Sequence, residues 1–115
     1  MLSRTEEIVL LSVCRLQSSA FGLDIRKDVE DVTGKRHSVG GIYVPLERLV
    51  KKGYLTSESE SGSAERLGRP RKRFVITADG LHALSEVHAL SQTIWSGLPD
   101  AVTTKLNLAP GSLSI

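Results

Sequence analysis

The run from Ser38 to Arg73 limits the possible folds of this chain more than any other segment. It opens SVGGIYVPLERLVKK, passes Gly53, and continues YLTSESESGSAERLGRPRKR to the edge of Phe74. Ile42, Leu46 and Leu49 share one helical face, with Val39 and Val50 flanking it, so an amphipathic helix comes first. Gly53 terminates it. Two short β-like runs follow, Tyr54–Ser57 and Arg71–Ile76, around a Ser-, Glu- and Gly-rich stretch from Glu58 to Gly68. In the second run Phe74 and Ile76 lie on one face and Val75 on the other, and Pro70 is tolerable at its start. The segment therefore reads as a helix followed by a β-hairpin.

The start of that helix is under conflicting instructions. Ser38 is a good cap. Gly40 and Gly41 weaken the first turn, and Pro45 removes a backbone donor. A start near Gly41 keeps Pro45 within the unpaired first turn, whereas a start near Val39 turns it into a kink. The late or distorted start is the expectation.

Two helices precede this segment. The first is predicted from Arg4 to Leu16, with Ser3 and Glu6 at capping-box spacing and Ile8, Leu11, Val13, Cys14 and Leu16 as a broad apolar face. After a polar break at Gln17–Phe21, a second is predicted from Leu23 to Val32. Ile25, Val29 and Val32 form its apolar stripe, and Gly34 is placed as a left-handed terminator. Downstream, Thr77 caps a long helix reaching about Trp95, with Leu81, Leu84, Val87, Leu90 and Ile94 as its stripe. So long a stripe exceeds what a small domain can bury internally, so part of it is expected to be a dimer surface. The residues after Gly97 carry Pro99 and Pro110 and no clear period, and are expected to be a loose tail with at most one helical turn.

The expected fold class is mainly α with a small β-hairpin, a winged helix-turn-helix followed by a long C-terminal dimerisation helix. The domain reading is a winged helix over 1–76, a dimerisation helix over 77–96 and a tail over 97–115. At 115 residues, with two Phe, two Tyr and one Trp, the core must be mostly Leu, Val and Ile. It gains from a shared dimer surface.

Net charge is +2, but the charge is unevenly placed. Residues 1–34 carry four basic and six acidic side chains, residues 35–73 ten and four, and residues 74–115 one and three. Arg66, Arg69, Arg71, Lys72 and Arg73 put five cations in eight residues. A basic middle between acidic flanks implies one positive face, suited to a polyanion such as duplex DNA. In that setting the third helix enters the major groove and the wing touches backbone. The small residues Ser38, Gly40 and Gly41 let the helix start approach phosphate closely.

Other chemistries find little in the sequence. Cys14 is the only cysteine and reads as a small buried apolar residue. His37, His82 and His88 lack metal spacing and a nucleophile partner, and no Gly-rich loop follows a strand. No metal, cofactor or catalytic residue is expected. Glu6 and Glu7 stand where a signal peptide needs positive charge, and no run reaches membrane-spanning length, so a cytoplasmic protein with no membrane partner is expected.

Taken together, "SVGGIYVPLERLVKKGYLTS" and "GRPRKRFVITADGLHAL" resemble the PadR-like transcriptional regulators. The matching positions are Ser38, Gly41, Tyr43, Leu46, Leu49, Gly53 and Leu55, then Gly68, Arg69, Arg73, Phe74, Thr77 and Gly80. Phe21-Gly22-Leu23-Asp24-Ile25 fits the family's aromatic-Gly lead into its second helix. The resemblance spans roughly residues 5–95 and is to the compact subgroup with one dimerisation helix. One departure stands out: many members carry Pro directly after the Tyr, whereas here Val44 intervenes before Pro45.

The resemblance implies a homodimer that reads an inverted repeat on double-stranded DNA and usually represses. Ser38, Val39, Gly40, Gly41, Tyr43, Lys52, Arg69, Arg71, Lys72 and Arg73 are then the DNA-binding candidates. Leu81, Leu84, Val87, Leu90, Ile94 and Trp95 are the dimerisation candidates. If about three wing cations per subunit meet phosphate, a dimer neutralises roughly six and the log–log salt slope is near −5. These contacts position the protein without choosing its sequence. Several roles stay open. Tyr43 either donates to phosphate or packs in the core. Arg48, Lys51 and Lys52 either reach phosphate or solubilise the helix, and an ion pair is a further option for Arg48. Trp95 either anchors the dimer or stacks on a small aromatic effector. Two other functions compete: a winged helix that binds proteins and has no operator, and a sensor that sequesters a small molecule.

Overall fold

The computed structural model describes residues 2–60 and 71–108. In order these form α1 (Arg4–Leu16), a 3-10 turn (Gln17–Ser19), α2 (Gly22–Thr33), α3 (Val39–Lys51), β1 (Leu55–Glu60), β2 (Arg71–Ile76), α4 (Ala78–Trp95) and α5 (Asp100–Lys105). The fold is a mainly helical winged helix with one antiparallel hairpin and a long C-terminal helix. The chain falls into two compact units, 1–84 and 85–115, with the boundary inside α4.

Local chemistry sets the ends of the elements. Ser3 and Glu6 form the full capping box at the start of α1: Glu6 N donates to Ser3 Oγ at 3.1 Å and Ser3 N to Glu6 Oε1 at 2.8 Å. Gly34 closes α2 at φ 72°, its N–H donating to Glu30 O. At the end of α3, Gly53 N donates to Val50 O and Tyr54 N to Leu49 O, with Gly53 at φ 81°. This is the Schellman arrangement, which needs a residue free to adopt left-handed backbone. Thr77 Oγ1 accepts from Gly80 N at 3.1 Å and donates to Gly53 O at 2.7 Å. One hydroxyl thus caps α4 and ties it to the end of α3.

The core of the first unit collects Val9, Leu10, Val13, Ala20, Ile25, Val29, Ile42, Leu46, Leu49, Leu55 and Phe74. Each larger side chain among them stabilises the fold by about 1.5–3 kcal/mol relative to exposure. Two expected core positions are corrected. Leu11 is 39% exposed and Val32 59% exposed, because Val9, Leu10 and Val13 turn inward on α1 and only Ile25 and Val29 do so on α2. Cys14 is half-buried; burial raises its thiol pKa, against the pull of Arg15.

Three element boundaries also differ from expectation. Helix α3 begins at Val39, one residue after the Ser38 cap, so Pro45 lies inside it. Gly41 O consequently lacks the usual partner four residues on. Pro45 is itself buried, and its contribution to the core offsets that loss. Strand β1 runs on to Glu60, because Glu58, Ser59 and Glu60 pair with Arg73, Lys72 and Arg71. After Gly97 the chain forms α5, six residues long and so more than the single turn expected there.

The hairpin has a neighbour that periodicity does not reveal. Phe21 makes an isolated antiparallel bridge to Arg73, and Phe74 N donates to Ala20 O at 2.9 Å. The polar break between α1 and α2 thus covers the outer edge of β2, which protects an otherwise open strand.

Candidate nucleic-acid interface

The outer surface of α3 is set by what its inner surface buries. Ile42, Pro45, Leu46 and Leu49 face the core. Gly40, Val44, Glu47 and Lys51 follow the opposite line at helical spacing, with Arg48 beside them, and all are exposed. Val44 is 58% exposed, high for a β-branched apolar residue on so small a domain. Tyr43, Val44, Glu47, Arg48 and Lys51 line an open groove of about 350 Å³.

The N-terminus of the same helix is open. Ser38, Val39, Gly40 and Gly41 are all exposed. Ser38 Oγ accepts from Gly41 N at 2.9 Å, which fixes the first turn. The lead into the helix is held from behind, where Arg26 Nε donates to His37 O at 2.7 Å. Tyr43 leans inward: its ring is half-buried, packs against the core and meets Phe74 edge-on at 6.5 Å and 68°.

The wing base carries Arg71, Lys72 and Arg73. Each has an acidic partner. Arg71 Nε lies 2.9 Å from Glu60 Oε2, and its guanidinium stacks 3.6 Å from the centre of the Phe21 ring. Arg73 pairs with Glu58 directly across the hairpin. Lys72 shares the inward face of β2 with Phe74 and reaches back to α3, its Nζ 3.3 Å from Glu47 Oε1. These pairs are solvent-accessible and worth little individually. A phosphate can replace the carboxylate at small cost, but as it stands the wing base is close to charge-balanced. Arg69 and Arg66 lie outside the described residues.

Lys52 is turned away from the groove. Its ammonium lies 2.8 Å from Glu6 Oε2, and the Glu6 side chain is only 3% exposed. Burial pushes the Glu6 carboxyl upward, but the Lys52 ammonium and the Ser3 contacts outweigh it and hold the group below the ordinary carboxylate range. Arg15 does the same for Asp28, binding it from α1 at 2.6 Å. The two pairs lock α1 to the end of α3 and to α2.

The described residues contain no group of three or more His, Cys, Asp or Glu able to hold a metal ion. No described helix is long and apolar enough to cross a membrane. On α4, Leu81 is 54%, Leu90 42%, Ile94 65% and Trp95 43% exposed, while Leu84 and Val87 are half-buried.

The family model described as the transcriptional regulator PadR-like family matches residues 10–86. The chain belongs to this family. Its PadR-like fold is shared with a PadR family transcriptional regulator from Eggerthella lenta, at 28% identity and TM-score 0.64, over 89% of this chain and 83% of that one. It is also similar to H. salinarum RosR, at 19% identity and TM-score 0.64, over 92% and 91%. A third similar structure, at 20% identity and TM-score 0.56 over 92% and 74%, is Bordetella bronchiseptica BpsR, described for the regulation of its DNA binding by 6-hydroxynicotinic acid. A comparison with curated proteins found no match. PadR-like proteins are transcriptional regulators.

Sequence reasoning missed Val44 and Glu47, and missed the two wing glutamates, Glu58 and Glu60, as partners of the basic run. The signal for the first two was present. Counting back from the buried face of α3 puts Gly40, Val44, Glu47 and Lys51 on one line, provided the helix starts at Val39.

Proposed function

We propose that this PadR-like chain is a sequence-specific DNA-binding repressor that works as a homodimer in the cytoplasm. The observation that carries the reading is the exposed face of α3, rigidly backed by the core and flanked by a basic hairpin. Ser38 to Gly41 and the groove side of α3 enter the major groove, and Arg69, Arg71, Lys72 and Arg73 meet the flanking backbone. Two copies present two such faces, so the operator is an inverted repeat.

The exposed Leu81, Leu90, Ile94 and Trp95 support a dimer built on α4. Leu84 and Val87 belong to the same stripe. Trp95 also offers a flat face to a small aromatic effector, which would act by changing the spacing of the two recognition helices. The charge-balanced wing base favours a second reading, a winged helix that docks on protein and has no operator.

The test is selection of bound duplexes from a random pool at about physiological salt, where non-specific binding is weak. An enriched inverted repeat is expected. Folded protein that enriches nothing overturns the DNA reading in favour of protein docking. Replacing Arg69, Arg71 and Lys72 together with Ala is expected to weaken binding to all duplexes and flatten the salt slope.

A further inference from the structure

We infer that Glu47 is a specificity-determining residue that reads a cytosine in the major groove, an inference that rests on the DNA-binding reading above. Glu47 is the only acidic residue of α3. It lies on the groove-facing line with Gly40, Val44 and Lys51, and its side chain is 49% exposed. A carboxylate there repels every phosphate it approaches. On a surface meant for DNA it therefore weakens binding unless it meets a donor.

The major groove offers two base donors, the N4 amine of cytosine and the N6 amine of adenine. Adenine presents N7, an acceptor, beside its amine, and a carboxylate set against both is repelled by the N7 lone pair. Cytosine presents no acceptor beside its N4 amine on its own edge. A lone carboxylate therefore selects cytosine, whereas a carboxamide, donor and acceptor together, selects adenine.

Lys72 makes the arrangement workable. It engages Glu47 Oε1 at 3.3 Å from the hairpin, while Oε2 has no partner among the described residues. The ammonium limits the rotamers of the Glu47 side chain and offsets its repulsion from phosphate, leaving one oxygen for the base. Lys72 is thus a positioning residue, tying the wing to the reading of sequence.

The experiment is duplex selection, followed by affinity measurement on single-base variants of the selected site, with wild type, Glu47→Gln, Glu47→Ala and Lys72→Ala. Wild type is expected to require C at one position of each half-site and to lose about 5- to 150-fold when that base is changed. Glu47→Gln should move that position toward A, and Glu47→Ala should relax it, with all other positions unchanged. Lys72→Ala should weaken the preference for C as well as overall affinity. If Glu47→Ala and Glu47→Gln instead tighten binding to all duplexes alike and keep the wild-type preferences, Glu47 only balances Lys72 and the inference is wrong. If wild type selects no sequence, the DNA-binding reading itself fails, a result visible before any variant is made.

Discussion

The hydroxyl end of Tyr43 closes directly over Gly22. A Cβ at position 22 would lie 1.9 Å from the Tyr43 hydroxyl oxygen and 2.3 Å from the ring carbon that bears it. Helix α3 is therefore registered against the first turn of α2 by a ring occupying the space of a missing side chain. Gly22→Ala is expected to lower stability by about 1–3 kcal/mol, as overpacking does, in urea denaturation. Adding Tyr43→Ala should make the Gly22→Ala step much cheaper, since the two positions share one space. An equal cost in both backgrounds would show that the Tyr43 contact is not its source.

The Glu6–Lys52 pair predicts an acid limb in stability. Folding holds the Glu6 carboxyl below its ordinary range, so the unfolded chain binds that proton more readily. The stabilisation is complete above the unfolded carboxylate pKa of about 4 and is lost as pH falls through the lower folded value. Asp28, lowered by Arg15, has the same sign. Lys52→Ala leaves Glu6 buried without its ammonium and should cost about 1–3 kcal/mol at neutral pH, moderated by water entering on the exposed side. It should also flatten the decline between about pH 5 and pH 3. A loss of the same size at both ends of that range would rule out the pair as its cause.

Glu58 and Glu60 hold Arg73 and Arg71, the wing arginines that the proposed function assigns to DNA phosphates. Glu58→Gln with Glu60→Gln should therefore raise affinity for all duplexes and steepen the salt slope, by up to about one unit for each additional phosphate neutralised. Base preferences should stay as they were, since these contacts carry no sequence information. Melting temperature should change little, because the pairs are exposed. A weaker complex would mean that the glutamates hold Arg71 and Arg73 in their binding posture.

Elements governed by neighbours in sequence were legible in the sequence. Both ends of α1 follow from the Ser3–Glu6 box and the end of its apolar pattern, and α4 starts where Thr77 caps it. Elements governed by distant partners were not. Pro45 argued for a late start to α3, but the core takes the ring in and tolerates a lost backbone bond. The Ser- and Glu-rich residues 58–60 read as loop because the arginines that pair them into a strand lie across the hairpin. Lys52 read as a groove cation because Glu6 is 46 residues away. The wing's positive charge was legible as composition, but its local neutralisation required the register of β1 on β2.

The exposed stripe of α4 yields a test that separates assembly from folding. Ile94 is 65% and Leu90 42% exposed, so a charge at either costs the isolated chain little burial. In a dimer built on α4 the same charge is desolvated against its own copy, at a cost of several kcal/mol. Ile94→Asp should therefore halve the mass seen by sedimentation while circular dichroism stays that of wild type. Affinity for an inverted repeat should fall by about a hundredfold or more, because each half-site would then be bound independently. Val32→Asp is the control, an apolar-to-acid change at a residue 59% exposed on α2, and should leave the mass unchanged. Unchanged mass for Ile94→Asp, or an equal drop for both variants, would remove α4 as the dimer surface.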